Sequence, residues 1–152
     1  MTDPDPGAEI LDVQTAQEAV LTVMRLFRAL ERIDTGLTAQ QYRILKLAGA
    51  GGERSARLAE RLAVAKPTLT ATADGLVAAG YAQREAEAGD RRVVRLSLTA
   101  AGREALERAD AAYAGWLGPL LGATGDPAGV LEALRGLDAA MEERRRVRKG
   151  VK

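Results

Sequence analysis

Few residues in this chain are of types that do covalent chemistry. Its 152 residues include no cysteine and no histidine. Without cysteine there is no disulfide, no thiolate metal site and no thiol-based redox sensor. Without histidine, the commonest metal ligand and the usual general base near neutral pH are both missing. The sequence holds no phosphate-cradling glycine loop and no nucleophile–base pair, and the carboxylates Glu85, Glu87 and Asp90 are scattered among basic residues. It therefore predicts no enzyme, no metal and no cofactor. What remains are cations and hydroxyls in two short runs, Lys66-Pro67-Thr68-Leu69-Thr70-Ala71 and Asp90-Arg91-Arg92, with Ser55 upstream. Such groups bind phosphates and base edges, so the expected partner is double-stranded DNA.

The elements that must position these groups follow from residue periodicity. Two short helical patterns, 55–62 and 66–79, are separated by only a few residues. Ser55 is the expected N-cap of the first. Leu58, Ala59 and Leu62 should face inward, with Arg57 and Arg61 outward. The second helix opens at Lys66-Pro67, since proline is tolerated in a first turn. Leu69, Ala73, Leu76 and Val77 make its inner face, which leaves Lys66, Thr68, Thr70 and Ala71 on the exposed leading edge. Gly80 is expected just beyond its C-terminus. Two strand-like runs follow, 81–87 and 93–98, joined by the charged turn 88–92, where Gly89 can supply a positive φ. Helix, tight turn, helix and basic-tipped hairpin make a winged helix-turn-helix. The second helix would enter the major groove, while Arg91 and Arg92 would face opposite ways at the wing tip. One arginine would reach the DNA and the other would pair with Asp90.

Helices flank this unit. Asp12 to Asp34 reads as one helix with Val20, Val23, Met24, Phe27 and Leu30 along an apolar face. Thr38 and Gln41 form a capping box for a helix to Leu47, with Tyr42, Leu45 and either Ala48 or Leu47 turned to the core. Thr99 caps a helix expected to end near Leu117, because Gly118-Pro119 should break it. Asp126-Pro127 opens a last helix, where Val130, Leu134, Leu137 and Met141 step by four, three and four, the seam of a helix on a helix. Arg144 to Lys149 reads as a basic tail. The fold class is mainly α with a small β-hairpin wing (α+β). The expected organisation is a loose tail 1–9, an N-terminal dimerisation helix 10–36, the winged domain 37–99, and C-terminal dimerisation helices with the tail over 100–152.

The spacing Asp90-x-Arg92, then Leu98-Thr99-x-x-Gly102, resembles the signature of the MarR family of transcriptional regulators. So does the helix pair Leu58-Ala59-Glu60-Arg61-Leu62 and Lys66-Pro67-Thr68-Leu69-Thr70. The resemblance spans roughly 37–106 by motif. It implies a homodimer, a repressor on a pseudo-palindromic operator, and a small aromatic or phenolic effector bound between the dimer helices and the winged domain. Phe27, Arg28, Tyr42, Tyr113 and Trp116 are the candidate effector residues. Three positions depart from the family pattern: Ala65 where a capping serine is usual, Ala71 where a basic groove-reading residue is common, and Gly75. They motivate a rival reading, a protein of this fold that acts through its dimer helices or a ligand and no longer reads DNA.

Composition is compatible with either. Net charge is +1, so DNA affinity would rest on local patches. From Arg54 to Arg95 there are eight basic and five acidic residues, a local +3. No apolar run approaches a membrane span, and the acidic start MTDPDPGAEI lacks a secretory pattern, so a cytoplasmic protein is expected.

Overall fold

The computed structural model describes residues 12–49, 53–87 and 90–150, with the side chains of 53–56, 87, 90–94 and 149 left aside. In chain order the elements are α1 (Val13–Glu31), α2 (Ala39–Gly49), β1 (Glu53–Arg54), α3 (Ser55–Leu62), α4 (Lys66–Ala78), β2 (Ala82–Glu87), β3 (Asp90–Leu98), α5 (Ala100–Ala123) and α6 (Pro127–Gly150). The chain divides into two compact units, Met1–Ala109 and Asp110–Lys152, with the boundary inside α5.

The first unit holds the core. Ile44, Leu45 and Ala48 of α2 pack with Leu58, Ala59 and Leu62 of α3, and with Leu69, Ala73 and Leu76 of α4. Ala82, Leu96 and Leu98 close the cluster from the sheet. On α3 and α4 these are the expected inner faces, with Val77 half-buried against the cluster; on α2 Leu45 and Ala48 are buried as expected, Ile44 joins them, and Tyr42 is only half-buried. Leu96 and Leu98 alternate with the half-buried Arg95 and Ser97, the period of a strand with one covered face. The sheet is antiparallel in the order β1-β3-β2. β1 pairs Glu53 with Leu96 and Arg54 with Arg95. Sequence pattern does not predict that strand: two residues are too few to show a period, and only the pairing with β3 defines it.

Local hydrogen bonds set where helices begin and end. Asp12 caps α1, accepting from the Gln14 and Thr15 backbone N–H groups at 2.8 and 3.0 Å. The Thr15 hydroxyl also donates to it, at 2.6 Å. These bonds, the hydroxyl first, hold the Asp12 carboxyl below its usual value of 3.8. The Thr38–Gln41 capping box forms in both directions, at 2.9 and 3.2 Å. Asp126 caps α6 through the Gly129 N–H at 2.9 Å. Between α3 and α4 the chain turns at Ala63, whose φ of 53° is the left-handed region rarely taken by a residue with a Cβ. At the end of α4, Gly80 adopts φ +76°. Its N–H donates to the Val77 carbonyl and that of Tyr81 to the Leu76 carbonyl, a Schellman closure.

Thr99 joins three elements. Its hydroxyl donates to the Gly80 carbonyl at 2.6 Å and accepts from the Gly102 N–H at 3.0 Å. Its own N–H donates to the Tyr81 carbonyl at 3.1 Å. α5 therefore starts pressed against the α4–β2 turn, so closely that a Cβ on Gly102 would overlap the Tyr81 carbonyl oxygen.

Several boundaries correct the sequence reading. α5 does not stop near Leu117; it continues through Gly118 and Pro119 to Ala123. A proline inside a helix loses one donor and crowds the carbonyl four residues back. Here that residue is Gly115, which is exposed, as are Gly118 and Pro119, so water can serve the orphaned carbonyl. The expected basic tail is helical as well, because α6 runs to Gly150. Arg145 pairs with Glu142 at 2.7 Å and Arg146 with Glu143 at 3.6 Å, one turn apart. β3 begins at Asp90 rather than Val93, and α1 ends at Glu31 rather than Asp34.

Glycine to alanine should have opposite signs at two positions. Gly102→Ala should destabilise by about 1–3 kcal/mol or more, because the clash is with backbone. Gly75→Ala meets nothing within 4 Å and should stabilise by up to about 1 kcal/mol through helix propensity. Thermal melts should move down and up accordingly, by about 2–4 °C per kcal/mol. The Asp12 cap makes stability depend on pH. Because folding lowers the Asp12 carboxyl, its contribution is complete above the ordinary value of 3.8 and is lost as pH falls through the lower folded value. Asp12→Asn keeps a capping side chain and should flatten that acid limb in circular-dichroism unfolding curves.

Candidate nucleic-acid interface

The outer face of α4 is the candidate surface. Its inner face is used up by the core, and Lys66, Pro67, Thr68, Thr70 and Ala71 are all exposed, as expected. Pro67, Ala71, Asp74, Gly75 and Ala78 recur at three- and four-residue steps and are exposed too, so they form the stripe turned away from the core. Lys66 and the threonines flank it. The Ala65 N-cap makes no side-chain hydrogen bond, which matches its departure from the expected serine.

The threonine hydroxyls are partly committed. Thr70 donates to the Lys66 carbonyl at 3.0 Å, and Thr72 to the Thr68 carbonyl at 2.9 Å. These are bonds to the preceding turn of the same helix. Thr68 makes no such bond among the described contacts and keeps its hydroxyl proton available.

Two residues that sequence patterns do not single out meet at this surface. Asp74 of α4 and Arg84 of β2 form an ion pair at 2.6 Å. Both are well exposed, so the pair contributes at most about 1 kcal/mol to stability. Its larger effect is electrostatic, since it offsets the one carboxylate on the outer stripe. No spacing signal could have found it, because the partners lie on different elements. On β2 and β3, Glu85 accepts from Gln83 at 2.7 Å and from Ser97 at 3.0 Å, so it serves the wing surface rather than any acid–base chemistry. Behind the helix pair, Arg43 of α2 donates to the Leu62 carbonyl at the end of α3, at 3.3 Å.

The other candidate residues lie on several elements. Ser55 is the first residue of α3, and Asp90, Arg91 and Arg92 open β3; their side chains, and with them the Ser55 cap and the Asp90 pairing, lie outside the described residues, as do Ala88 and Gly89. Glu87 pairs with Asp90 across an irregular register, which puts the arginines next to the hairpin end. Phe27 and Arg28 are exposed on α1, while Tyr42 on α2 is half-buried. Tyr113 and Trp116 are half-buried on α5, in the second unit. A cleft beside α1 is lined by Glu18, Leu21, Thr22 and Arg25, none of them a candidate effector residue. Among the described residues no group of acidic side chains could hold a metal ion, and no helix is long and apolar enough to cross a membrane.

Comparison with known proteins agrees with this geometry. Residues 35–93 match the sequence model of the MarR family. No curated protein matches the chain. Among solved structures, the transcriptional regulator BldR from Sulfolobus solfataricus superposes with a TM-score of 0.72 at 24% identity, over 87% of this chain and 98% of that one. FabT from Streptococcus pneumoniae, in complex with DNA, gives 0.72 at 19% identity over 87% and 99%. The transcriptional regulator MOSR from Mycobacterium tuberculosis, also in complex with DNA, gives 0.65 at 27% identity over 86% and 97%. BldR and FabT, at those identities, speak for the fold alone. Fold, helix pair and hairpin thus agree with the sequence match: the winged helix of this chain, residues 35–93, is the segment that matches the MarR family.

Proposed function

We propose that this protein is a transcriptional regulator that binds a pseudo-palindromic operator as a homodimer and represses. The observation that carries the reading is α4: a helix whose inner face is core and whose other face is wholly exposed beside a hairpin, within the segment that matches the MarR family. A long exposed helix face next to a strand pair suits a major groove with adjacent backbone. That FabT and MOSR are known in complex with DNA supports it by likeness. Within this reading, residues 37–99 contact DNA, and α1 and the segment 100–152 dimerise. The dimer is supported by apolar side chains left uncovered: Val20, Val23, Met24 and Phe27 on α1, and Leu134, Leu137 and Met141 on α6, with exposures from 50% to 60%. A small aromatic or phenolic effector completes the proposal, its candidate contacts being Phe27, Arg28 and Tyr42 in the first unit, and Tyr113 and Trp116 in the second.

Fluorescence titration with the DNA flanking its own gene tests it. Salt-dependent, saturable binding should exceed that of scrambled duplex by a ratio near the low end of the ~10³–10⁷ range. Equal affinity for both duplexes would overturn operator reading in favour of the interaction protein that no longer reads DNA. Arg91→Ala should weaken both complexes alike and reduce the slope of log K against log salt by roughly one. An unchanged slope would mean that the wing does not touch phosphate. Light scattering should report a mass about twice the 16.1 kDa chain; a stable monomer at micromolar concentration would exclude the two-half-site arrangement.

A further inference from the structure

We propose that α4 selects thymine by its methyl group, with Thr70 as the residue that determines this choice. The inference rests on the DNA-binding reading above and specifies what that surface recognises.

It begins from what the exposed side of α4 can offer a base edge. Thymine presents a C5 methyl in the major groove, while guanine presents two acceptors and adenine one acceptor and one donor. Reading guanine directly needs side-chain donors. The outer stripe has none: Pro67, Ala71, Gly75 and Ala78 carry no polar side chain, and Asp74 is an acceptor engaged by Arg84. Of the two exposed threonines, Thr70 has already given its proton to the Lys66 carbonyl. What it can offer is therefore a methyl group and an acceptor lone pair. Ala71, the next residue on the outer stripe and about 100° round the helix, adds a second exposed methyl. Gly75, one turn on, has no neighbour within 4 Å of where its Cβ would stand. The fold does not call for a glycine there, and helix propensity argues against one. Its effect is to thin the helix surface beside Ala71, one turn earlier, so that a base edge can come close to the helix there. Lys66 and Thr68 lie at the start of the helix and remain able to bind phosphate.

The test uses the operator duplex found by titration, with deoxyuridine replacing each half-site thymine in turn. That change removes the methyl and leaves every hydrogen-bonding group in place. Wild-type protein should lose about fourfold in affinity at one or two thymines per half-site, the effect of one methyl group leaving an apolar contact. Thr70→Val, which keeps the methyl and lacks the hydroxyl, should show the same thymine-to-uridine loss. Thr70→Ser, which keeps the hydroxyl and lacks the methyl, should bind thymine and uridine duplexes equally at one position. Equal wild-type affinity for thymine and uridine at every position overturns the proposal, as does an operator whose half-sites hold no thymine. So does the reverse pattern, with Ser keeping the discrimination and Val losing it, which would mark hydroxyl reading. Should Thr70→Val fail to fold, Thr70→Ser beside wild type decides: discrimination present in wild type and kept in Thr70→Ser overturns the role of Thr70. Binding that persists without thymine discrimination removes this inference and leaves the proposed function standing; no binding to any duplex removes both.

Discussion

The position of the reading helix depends on one hydroxyl and one missing Cβ. Thr99 donates to the carbonyl of Gly80, just past the end of α4, and accepts from the N–H of Gly102, in the first turn of α5. Both bonds need the two backbones in contact, and contact is possible only because residue 102 has no side chain. The neighbouring bond from the Thr99 N–H to the Tyr81 carbonyl adds the first turn of the wing to the same knot. The Arg103 guanidinium donates to the Leu98 carbonyl at 3.2 Å and ties in the end of β3. α4, β2, β3 and α5 thus meet within a few residues through hydrogen bonds to backbone, which tolerate little displacement. Any rotation at the start of α5 must be passed to the end of α4 or break these bonds. The Leu-Thr-x-x-Gly spacing has its physical meaning in this junction.

With its C-terminal end fixed there, α4 is asked for different things on its two sides. The inner side fills the core with Leu69, Ala73 and Leu76. The outer side needs only to remain helical and unobstructed, and its residues show it: alanine, glycine and threonine, with a single acid that Arg84 offsets. Threonine hydroxyls bonded to the preceding turn keep polar groups satisfied without reaching outward. The result is a smooth, nearly neutral face flanked by cations. Long-range attraction to a polyanion then has to come from Lys66 and the wing, and shape has to do more of the work of discrimination.

The sequence made much of this legible, and where it failed the reasons are physical. Helix faces in the winged region can be read because Leu58, Leu62, Leu69 and Leu76 repeat at helical spacing and are all buried. Caps can be read because Asp12, Thr38, Thr99 and Asp126 each bond within three residues, so spacing carries the information. β1 cannot, since two residues have no period. The passage of α5 through Pro119 depends on Gly115 one turn earlier and on solvent, neither of which proline's own propensity reveals. Ion pairs within α6 are implicit in its glutamate–arginine spacing, yet the density of charge there obscures the helical period and suggests a tail. Asp74 and Arg84 meet only after folding, so no local rule connects them.

The helices outside the winged core present the complementary problem. α1 has no buried residue, and the apolar seam of α6 is exposed from Leu131 to Met141. Helices of this length are marginal in water on propensity alone; most helical stability in proteins comes from covering an apolar face. Caps at Asp12 and Asp126 and the short-range pairs Arg145–Glu142 and Arg146–Glu143 secure helix ends, but each is a surface interaction of small energy. Burial of apolar surface contributes more, at about 25 cal/mol per Å² removed from water. A single chain leaves that stabilisation unrealised on these faces. Under the proposed dimer, association supplies it, so folding of the flanking helices and pairing of two winged domains become one equilibrium. The stability of such a protein would then depend on its own concentration. The geometry of its two reading helices would be set by the same contacts that complete the fold.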